Sequence, residues 1–143
     1  MKGYTYGSEL SGTWQATDFW KLNLSYGYLE AKFIKLDGSR HSFSDVIPHN
    51  QVNLRSSFDI AKNVELDFWL RYVDKLADVN DKPVSNFTSL NLHLGYKPLP
   101  NLELSLVGNN LIERHIEFNP DLLNIGNNAI IGRHYYLKAR FDF

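Results

Sequence analysis

Three carboxylates lie near one another in the sequence, where acid–base chemistry would be possible. Asp59, Glu65 and Asp67 surround a short polar turn. Two carboxyl groups held together can act as general acid and general base when their surroundings push their pKa values apart. The cations Arg55, Lys62 and Arg71 lie close by, and opposite charges on neighbouring strands stabilise a sheet by about 0.2–1 kcal/mol per pair. The pattern therefore favours a ladder of charges on one face of a sheet over a catalytic site.

The other residue types that carry chemistry are scattered. The chain has no Cys, which excludes thiolate metal sites and disulfides. The histidines do not show the i, i+4 spacing, or the short spacing backed by carboxylates, that a metal site would suggest. There is neither a G-x-S-x-G elbow nor a Gly-rich phosphate loop. We therefore expect no catalytic residue, no metal site and no cofactor, and a protein that is not an enzyme. His41 and His49 share one predicted loop, where solvated side chains are the default and contact with a metal chelate is the alternative.

Composition limits the function classes further. The 143 residues amount to about one domain. Fifteen basic and sixteen acidic residues are interspersed, so nucleic acid is not an expected partner. No apolar run approaches the roughly 20 residues of a membrane-spanning helix. Residues 1–7 carry no apolar export signal, and for a chain that otherwise has the features of an exported protein this indicates a fragment that lacks its front.

Hydrophobic and polar residues alternate with a period of two in seven segments. Successive side chains of a strand point to opposite faces, so each segment predicts a ribbon with one apolar and one polar side. In the last segment Tyr135, Leu137, Ala139, Phe141 and Phe143 share the apolar side. The segments have about the length that crosses a bilayer at a tilt. They are residues 9–15, 20–28, 52–60, 64–72, 90–97, 102–107 and 134–143.

The connections between these segments alternate in length. Short ones lie at residues 17–19, 61–63 and 98–101, and long polar ones at 34–50, 75–86 and 112–133. Short turns on one rim and long loops on the other are typical of outer-membrane barrels. We therefore predict an all-β fold, an antiparallel meander of about seven strands that forms a curved sector of a transmembrane β-barrel. The residues expected to face its lumen are Asn53, Arg55, Asp67, Arg71, His93, Lys138 and Arg140.

Short motifs in a fixed order resemble the C-terminal portion of TonB-dependent outer-membrane receptors. They extend over nearly the whole chain, and we assign residues 1–143 to that portion of the barrel. Asn91 departs from the family pattern, which more often has Asp there, and nothing resembles the N-terminal plug or the segment that contacts the coupling protein. The matching motifs are Gly7–Leu10, Pro48–Leu54, Val84–Asn91, Val107–Leu111 followed by His115–Phe118, and Gly132–Arg133.

The resemblance implies a fold, a location and a function. Such receptors form plugged barrels of about 22 strands, of which seven would be a sector. They take up scarce nutrients, most often a ferric siderophore or a similar metal chelate, across the bacterial outer membrane. The implied partners are outer-membrane lipid, the nutrient ligand, TonB through the absent N-terminal part, and the barrel-assembly machinery. The residues that would carry the assembly signal are Tyr135, Leu137, Phe141 and Phe143.

Two other readings of the same pattern stay open at the level of sequence. One is a small autonomous outer-membrane barrel, an adhesin or structural protein, in which residues 1–6 contribute to an eighth strand. The other is a soluble lipocalin-like barrel that turns its Leu, Tyr and Phe side chains inward around an apolar ligand. Solubility without detergent would separate the second reading from the membrane readings.

Overall fold

The computed structural model describes residues 2–34, 47–79, 82–117 and 129–143, and strands make up most of them. None of the described residues forms a helix long and apolar enough to cross a membrane. The strands are β1 (Lys2–Thr17), β2 (Trp20–Ile34), β3 (Asn50–Ala61), β4 (Val64–Val73), β5 (Leu76–Val79), β6 (Lys82–Val84), β7 (Phe87–Leu99), β8 (Leu102–Asn109) and β9 (His134–Phe141).

Seven of the strands form one antiparallel meander in the order β1-β2-β3-β4-β7-β8-β9. The predicted all-β, seven-stranded meander is therefore confirmed. The remaining two strands, β5 and β6, form a separate antiparallel hairpin in the connection between β4 and β7. The sequence pattern predicted a loop at residues 75–86 and missed this hairpin, because its strands of four and three residues are too short to show a period.

The first strand is longer than its hydrophobic period indicates. β1 pairs with β2 from Lys2 opposite Ile34 to Thr17 opposite Trp20. Residues 2–6 therefore extend β1 and do not form the separate eighth strand that an autonomous barrel would need.

Strand register sorts the side chains into two faces of opposite character. Directly paired residues point to the same face, and one row runs Leu24, Leu54, Leu70, Leu90 across β2, β3, β4 and β7. We call this side the apolar face; it further includes Leu10, Trp14, Leu94, Leu106 and Leu137. Many of its side chains are exposed, and Leu137 is 83% exposed. The other side, the polar face, carries the alternate residues of the same strands.

The buried hydrophobic residues lie near the rim with the long connections. Val73, at the end of β4, pairs with Phe87, at the start of β7, and both are almost fully buried. Leu76 and Val84 pair with each other in the β5–β6 hairpin and are buried as well. Buried apolar pairs thus lie both where β4 and β7 meet and within the hairpin that connects them.

Aromatic rings connect the strands at the opposite, short-turn rim. Trp20 stacks on Phe58 with ring centroids 5.5 Å apart, and Trp14 lies 6.1 Å from Trp20. Phe58 meets Phe68 edge to face at 5.9 Å. Such pairs contribute about 0.5–1.5 kcal/mol each beyond the area they bury. A row of aromatic rings near strand ends is typical of the membrane–water interface.

Two glycines of β1 provide a matched test of the β1–β2 pairing. A Cβ at Gly7 would collide with the backbone carbonyl oxygen of Tyr28, whereas a Cβ at Gly12 meets nothing within 4 Å. We expect Gly7→Ala to lower the free energy of unfolding by about 1–3 kcal/mol, because backbone on β2 must move. Gly12→Ala should change it by less than about 0.5 kcal/mol. Urea unfolding followed by tryptophan fluorescence measures both, and equal effects would contradict the register.

Candidate functional site

The polar face collects the side chains that the sequence analysis selected for the lumen. Asn53 pairs with Arg71, Asp67 with His93 and Arg55 with Trp69. On the last strand, Lys138 and Arg140 are opposite Ser105 and Glu103. The register therefore places all seven predicted residues on one side of the sheet: Asn53, Arg55, Asp67, Arg71, His93, Lys138 and Arg140. That this side borders a lumen remains a prediction.

Asp67 is the centre of a polar network that crosses three strands. Ser57 Oγ on β3 donates a hydrogen bond to its carboxylate, and Arg55 Nη2 lies 3.5 Å from Oδ1. On the other side, Nδ1 of His93 on β7 is 3.3 Å from Oδ2. A cation, a hydroxyl and an imidazole thus surround one carboxylate, which is the cross-strand charge ladder that the sequence predicted.

A second group of charges, around Glu65, lies next to the Asp67 network. Glu65 pairs with Gly95 on β7. Glu65 lies 3.8 Å from Lys97 Nζ and 4.0 Å from His93 Nδ1. The missing side chain of Gly95 makes room for it, since a Cβ there would be 2.7 Å from Glu65 Cγ. Ligand atoms of Glu65, His93 and Glu103 lie within 4.8 Å of one another. Divalent metals accept this donor set, but Lys97 competes for Glu65, and the contacts are those of an ion-pair network.

One predicted member of the charge ladder is elsewhere. Arg71 does not join Asp67 or Glu65; its Nη1 donates to Oε1 of Glu117 at 3.1 Å. The expectation that Arg71 would neutralise this carboxylate cluster is wrong, because Arg71 lies further along β4, near the long-loop rim, where the segment after β8 supplies its own carboxylate.

Arg71 and Glu117 belong to a cluster of four side chains that we call the rim clamp: Arg71, Phe87, His115 and Glu117. The His115 ring stacks on Phe87 with centroids 3.8 Å apart and an interplanar angle of 10°. The Arg71 guanidinium lies 5.4 Å from the centroid of the same Phe87 ring. Nε2 of His115 is 3.1 Å from Oε1 of Glu117, the atom that also accepts from Arg71.

Asn110 turns the chain at the end of β8 towards the rim clamp. Its φ of 53° is in the left-handed region, where Asn is favoured among residues with a side chain. Its N–H donates to Oδ1 of Asn91 at 2.9 Å, and its Nδ2 donates to the carbonyl of Ile131 at 2.9 Å. Asn91 therefore supplies an acceptor oxygen that an aspartate, the residue more often expected there from the resemblance, would also supply.

A further set of hydrogen bonds joins β3 and β4 at the long-loop rim. Asn50 Nδ2 donates to Oδ2 of Asp74 at 2.6 Å, and Tyr72 Oη donates to Oδ1 at 2.8 Å. The hydrogen bond from Asn50 holds the pKa of the Asp74 carboxyl below its usual range, against the opposing effect of partial burial. Because this carboxyl pKa is lowered, the two hydrogen bonds stabilise the fold at neutral and mildly acidic pH. Their stabilisation is lost only in stronger acid, when the carboxylate is protonated.

Of the two loop histidines, His49 is among the described residues. His49 lies 3.5 Å from Oε2 of Glu30 on β2. His41 falls outside the described residues, so the alternative of a shared contact with a metal chelate stays untested.

The polar face can form hydrogen bonds and ion pairs with a ligand or with another part of a protein. It presents carboxylates, an imidazole, amides and guanidinium groups in rows set by strand register. Sequence reasoning selected Arg71 but missed the partners Phe87, His115 and Glu117. The motif that contains His115 and Glu117 was visible in the sequence, but nothing in it indicated which strands they would contact.

Comparisons with known proteins agree on one family. A family profile described as TonB dependent receptor-like, beta-barrel, matches residues 2–111. A search of curated protein sequences finds no match to this chain.

Solved structures share the fold over almost the entire chain. The ferric-catecholate import receptor Fiu from Escherichia coli K12 in its closed form is 20% identical with a TM-score of 0.76, over 99% of this chain and 21% of its own. The ferric yersiniabactin uptake receptor FyuA from Yersinia pestis is 16% identical (TM-score 0.74), over 99% of this chain and 24% of its own. The copper transporter OprC is 18% identical (TM-score 0.73), with the same two coverages.

The chain thus spans only about a quarter or less of the length of these structures. Its seven strands correspond to a fragment of their barrels, with one apolar and one polar face as a barrel wall requires. The chain belongs to the TonB-dependent receptor family, as part of its β-barrel.

Proposed function

We propose that this chain is the C-terminal part of the barrel of an outer-membrane receptor that takes up a metal chelate, most often a ferric siderophore, in an energy-dependent step. The observation that carries the proposal is the seven-stranded wall with separate apolar and polar faces, matched along its whole length to receptor barrels. A soluble lipocalin-like barrel would need its apolar face covered. In the described residues that face is widely exposed on a single sheet.

The proposed ligand class is supported by what the similar structures share. Fiu imports ferric catecholates, FyuA takes up ferric yersiniabactin, and OprC transports copper. Metal ions or their small chelates are common to all three. A chelate that carries carboxylate, hydroxyl or amide groups would find hydrogen-bonding partners on the polar face, for which Asn53, His93 and Lys138 are examples.

The two faces imply two further partners. The apolar face would contact outer-membrane lipid, and the polar face would contact the plug or the ligand path. Energy would arrive from TonB through the part of the receptor that lies outside this chain. On β9 the apolar residues Tyr135, Leu137 and Phe141, together with Phe143, would be recognised by the barrel-assembly machinery; all four are exposed.

Uptake of radiolabelled iron tests the function directly. We expect that deletion of the gene for the full receptor removes uptake of one ferric chelate under iron limitation, and that the intact gene restores it. A protonophore should abolish transport of the chelate while leaving its binding to the cell surface unchanged. Labelled copper serves as the parallel substrate, since it separates a siderophore receptor from a copper transporter. Unchanged uptake of every iron and copper chelate tried would contradict the proposal.

The assignment of faces predicts unequal effects of arginine at neighbouring positions of β2. Leu24 lies on the apolar face and Ser25 on the polar face. Arginine on the lipid side costs about 2–4 kcal/mol at the bilayer midplane and about 0–1 near the interfaces. We expect Leu24→Arg to destabilise the receptor in bilayers by more than Ser25→Arg does, measured by urea titration of folding into liposomes. The reverse order would place the polar face against lipid.

Assembly can be separated from lipid contact at Phe141. Phe141→Leu keeps an apolar side chain but removes the aromatic ring, and Lys138→Gln on the polar face is the control. We expect Phe141→Leu to lower the amount of receptor inserted in cells while folding into protein-free liposomes stays normal. An equal reduction in both assays would limit Phe141 to lipid contact.

A further inference from the structure

The segment that follows β8 continues beside β7, in the position that β8 holds in the sheet. Its contacts follow β7 back towards the start of that strand: Asn110 meets Asn91, and His115 stacks on Phe87. Between them Leu111 N–H donates to the carbonyl of Leu90, and Glu113 accepts from Thr88 N–H. Only Glu117 reaches β4, through its ion pair with Arg71. Residues 110–117 therefore extend the wall beside β7 towards the long-loop rim, where the carboxylate of Glu117 meets Arg71.

The rim clamp holds this segment through mutually dependent contacts. The His115 side chain is only 4% exposed, and its ring covers Phe87, which is 2% exposed. A single oxygen of Glu117 serves both His115 and Arg71. Removing Glu117 would leave a buried imidazole and a partly buried guanidinium without this carboxylate, and such uncompensated groups are costly.

The residues that lead into β9 form hydrogen bonds with the same segment. The backbones of His115 and Ile131 exchange two hydrogen bonds, of 3.2 and 2.8 Å. Asn110 Nδ2 adds a third bond to the same Ile131 carbonyl. Arg133 donates to the carbonyl of Ile112. Both described ends of the long connection are thus joined to each other and to the wall.

We infer that Arg71, His115 and Glu117 are positioning residues, which fix residues 110–117 beside β7 as a permanent extension of the wall of the ligand path. The description of this surface as a ligand path rests on the proposed transport function. The fixed position of residues 110–117 does not depend on it. Arg71 consequently contributes to uptake through the position of this segment, and its cation is committed to Glu117. Arg140 is paired with Asp142, but both side chains are more exposed than those of Arg71 and Glu117, so Arg140 can exchange this partner more readily for an anionic chelate or the plug.

A distance measurement on the full receptor tests the clamp. Residues 1–143 contain no Cys, so spin labels can be placed at Lys75→Cys, beyond β4, and at Arg114→Cys, on the segment, once any cysteine elsewhere in the receptor has been replaced. Pulsed electron paramagnetic resonance in detergent should give one narrow distance distribution. Arg71→Glu and Glu117→Arg should each cause loss of that single peak.

Restoration of the ion pair distinguishes positioning from general damage. The double variant Arg71→Glu/Glu117→Arg should recover part of the narrow distribution, because the exchanged charges restore the ion pair while His115 still lacks its carboxylate partner. Arg140→Glu is the matched control: it reverses a charge on the same face in an exposed ion pair, and should leave the distribution unchanged. His115→Phe keeps the stacking on Phe87 and should broaden the distribution less than His115→Ala.

The outcomes separate this inference from the proposed function. A narrow distribution in every variant, or a charge-exchanged variant no better than the single ones, would overturn the clamp while leaving transport untouched. Conversely, loss and recovery of the peak would support the clamp even in a receptor that imports no iron or copper chelate. In a receptor that does import such a chelate, the single variants should weaken its binding to the cell surface when transport is not energised. The exchanged variant should restore part of that binding.

Discussion

The strand register is the constraint on which the rest of the structure depends. A sheet in contact with lipid must satisfy its backbone hydrogen bonds between strands, because no water is available to do so. Alternation then assigns every residue to a face, and a slip of one residue would exchange the faces. Such a slip in β4 would move Arg71 to the apolar face and Leu70 to the polar one. The leucine row from Leu24 to Leu90 across four strands shows how completely the register separates the two.

The charges on the polar face follow from that register and do not determine it. The pairs of Asp67 with Arg55 and of Glu65 with Lys97 are partly exposed and have separations of 3.5 and 3.8 Å. Exposed ion pairs contribute only about 0–1 kcal/mol. Their significance is therefore chemical: they give the wall a charged, hydrogen-bonding surface at defined positions. The rim clamp differs, since His115 and Phe87 are buried and the carboxylate of Glu117 is shared.

The alternation of residue types predicted the strands and their faces, which depend on neighbouring residues. It did not predict the contacts between residues that are distant in the sequence. The period of two identified all seven meander strands and the common face of residues as distant as Asn53 and Arg140. It did not find the β5–β6 hairpin, whose strands are too short. Nor could it pair Arg71 with Glu117, which lies 46 residues away in a segment without periodicity. The motif around His115 indicated the family, whereas its contact with Phe87 depends on how the segment turns at Asn110.

The accessibility of successive residues of β4 tests the central claim most directly, that one face of this wall meets lipid and the other does not. Single spin labels at positions 64–73 of the full receptor in liposomes would be probed by oxygen, which partitions into lipid, and by a water-soluble nickel chelate. The account predicts an alternation with a period of two: strong oxygen contact at even-numbered positions, and weak contact at odd-numbered ones. A profile without alternation, or nickel contact at the even-numbered positions, would contradict it.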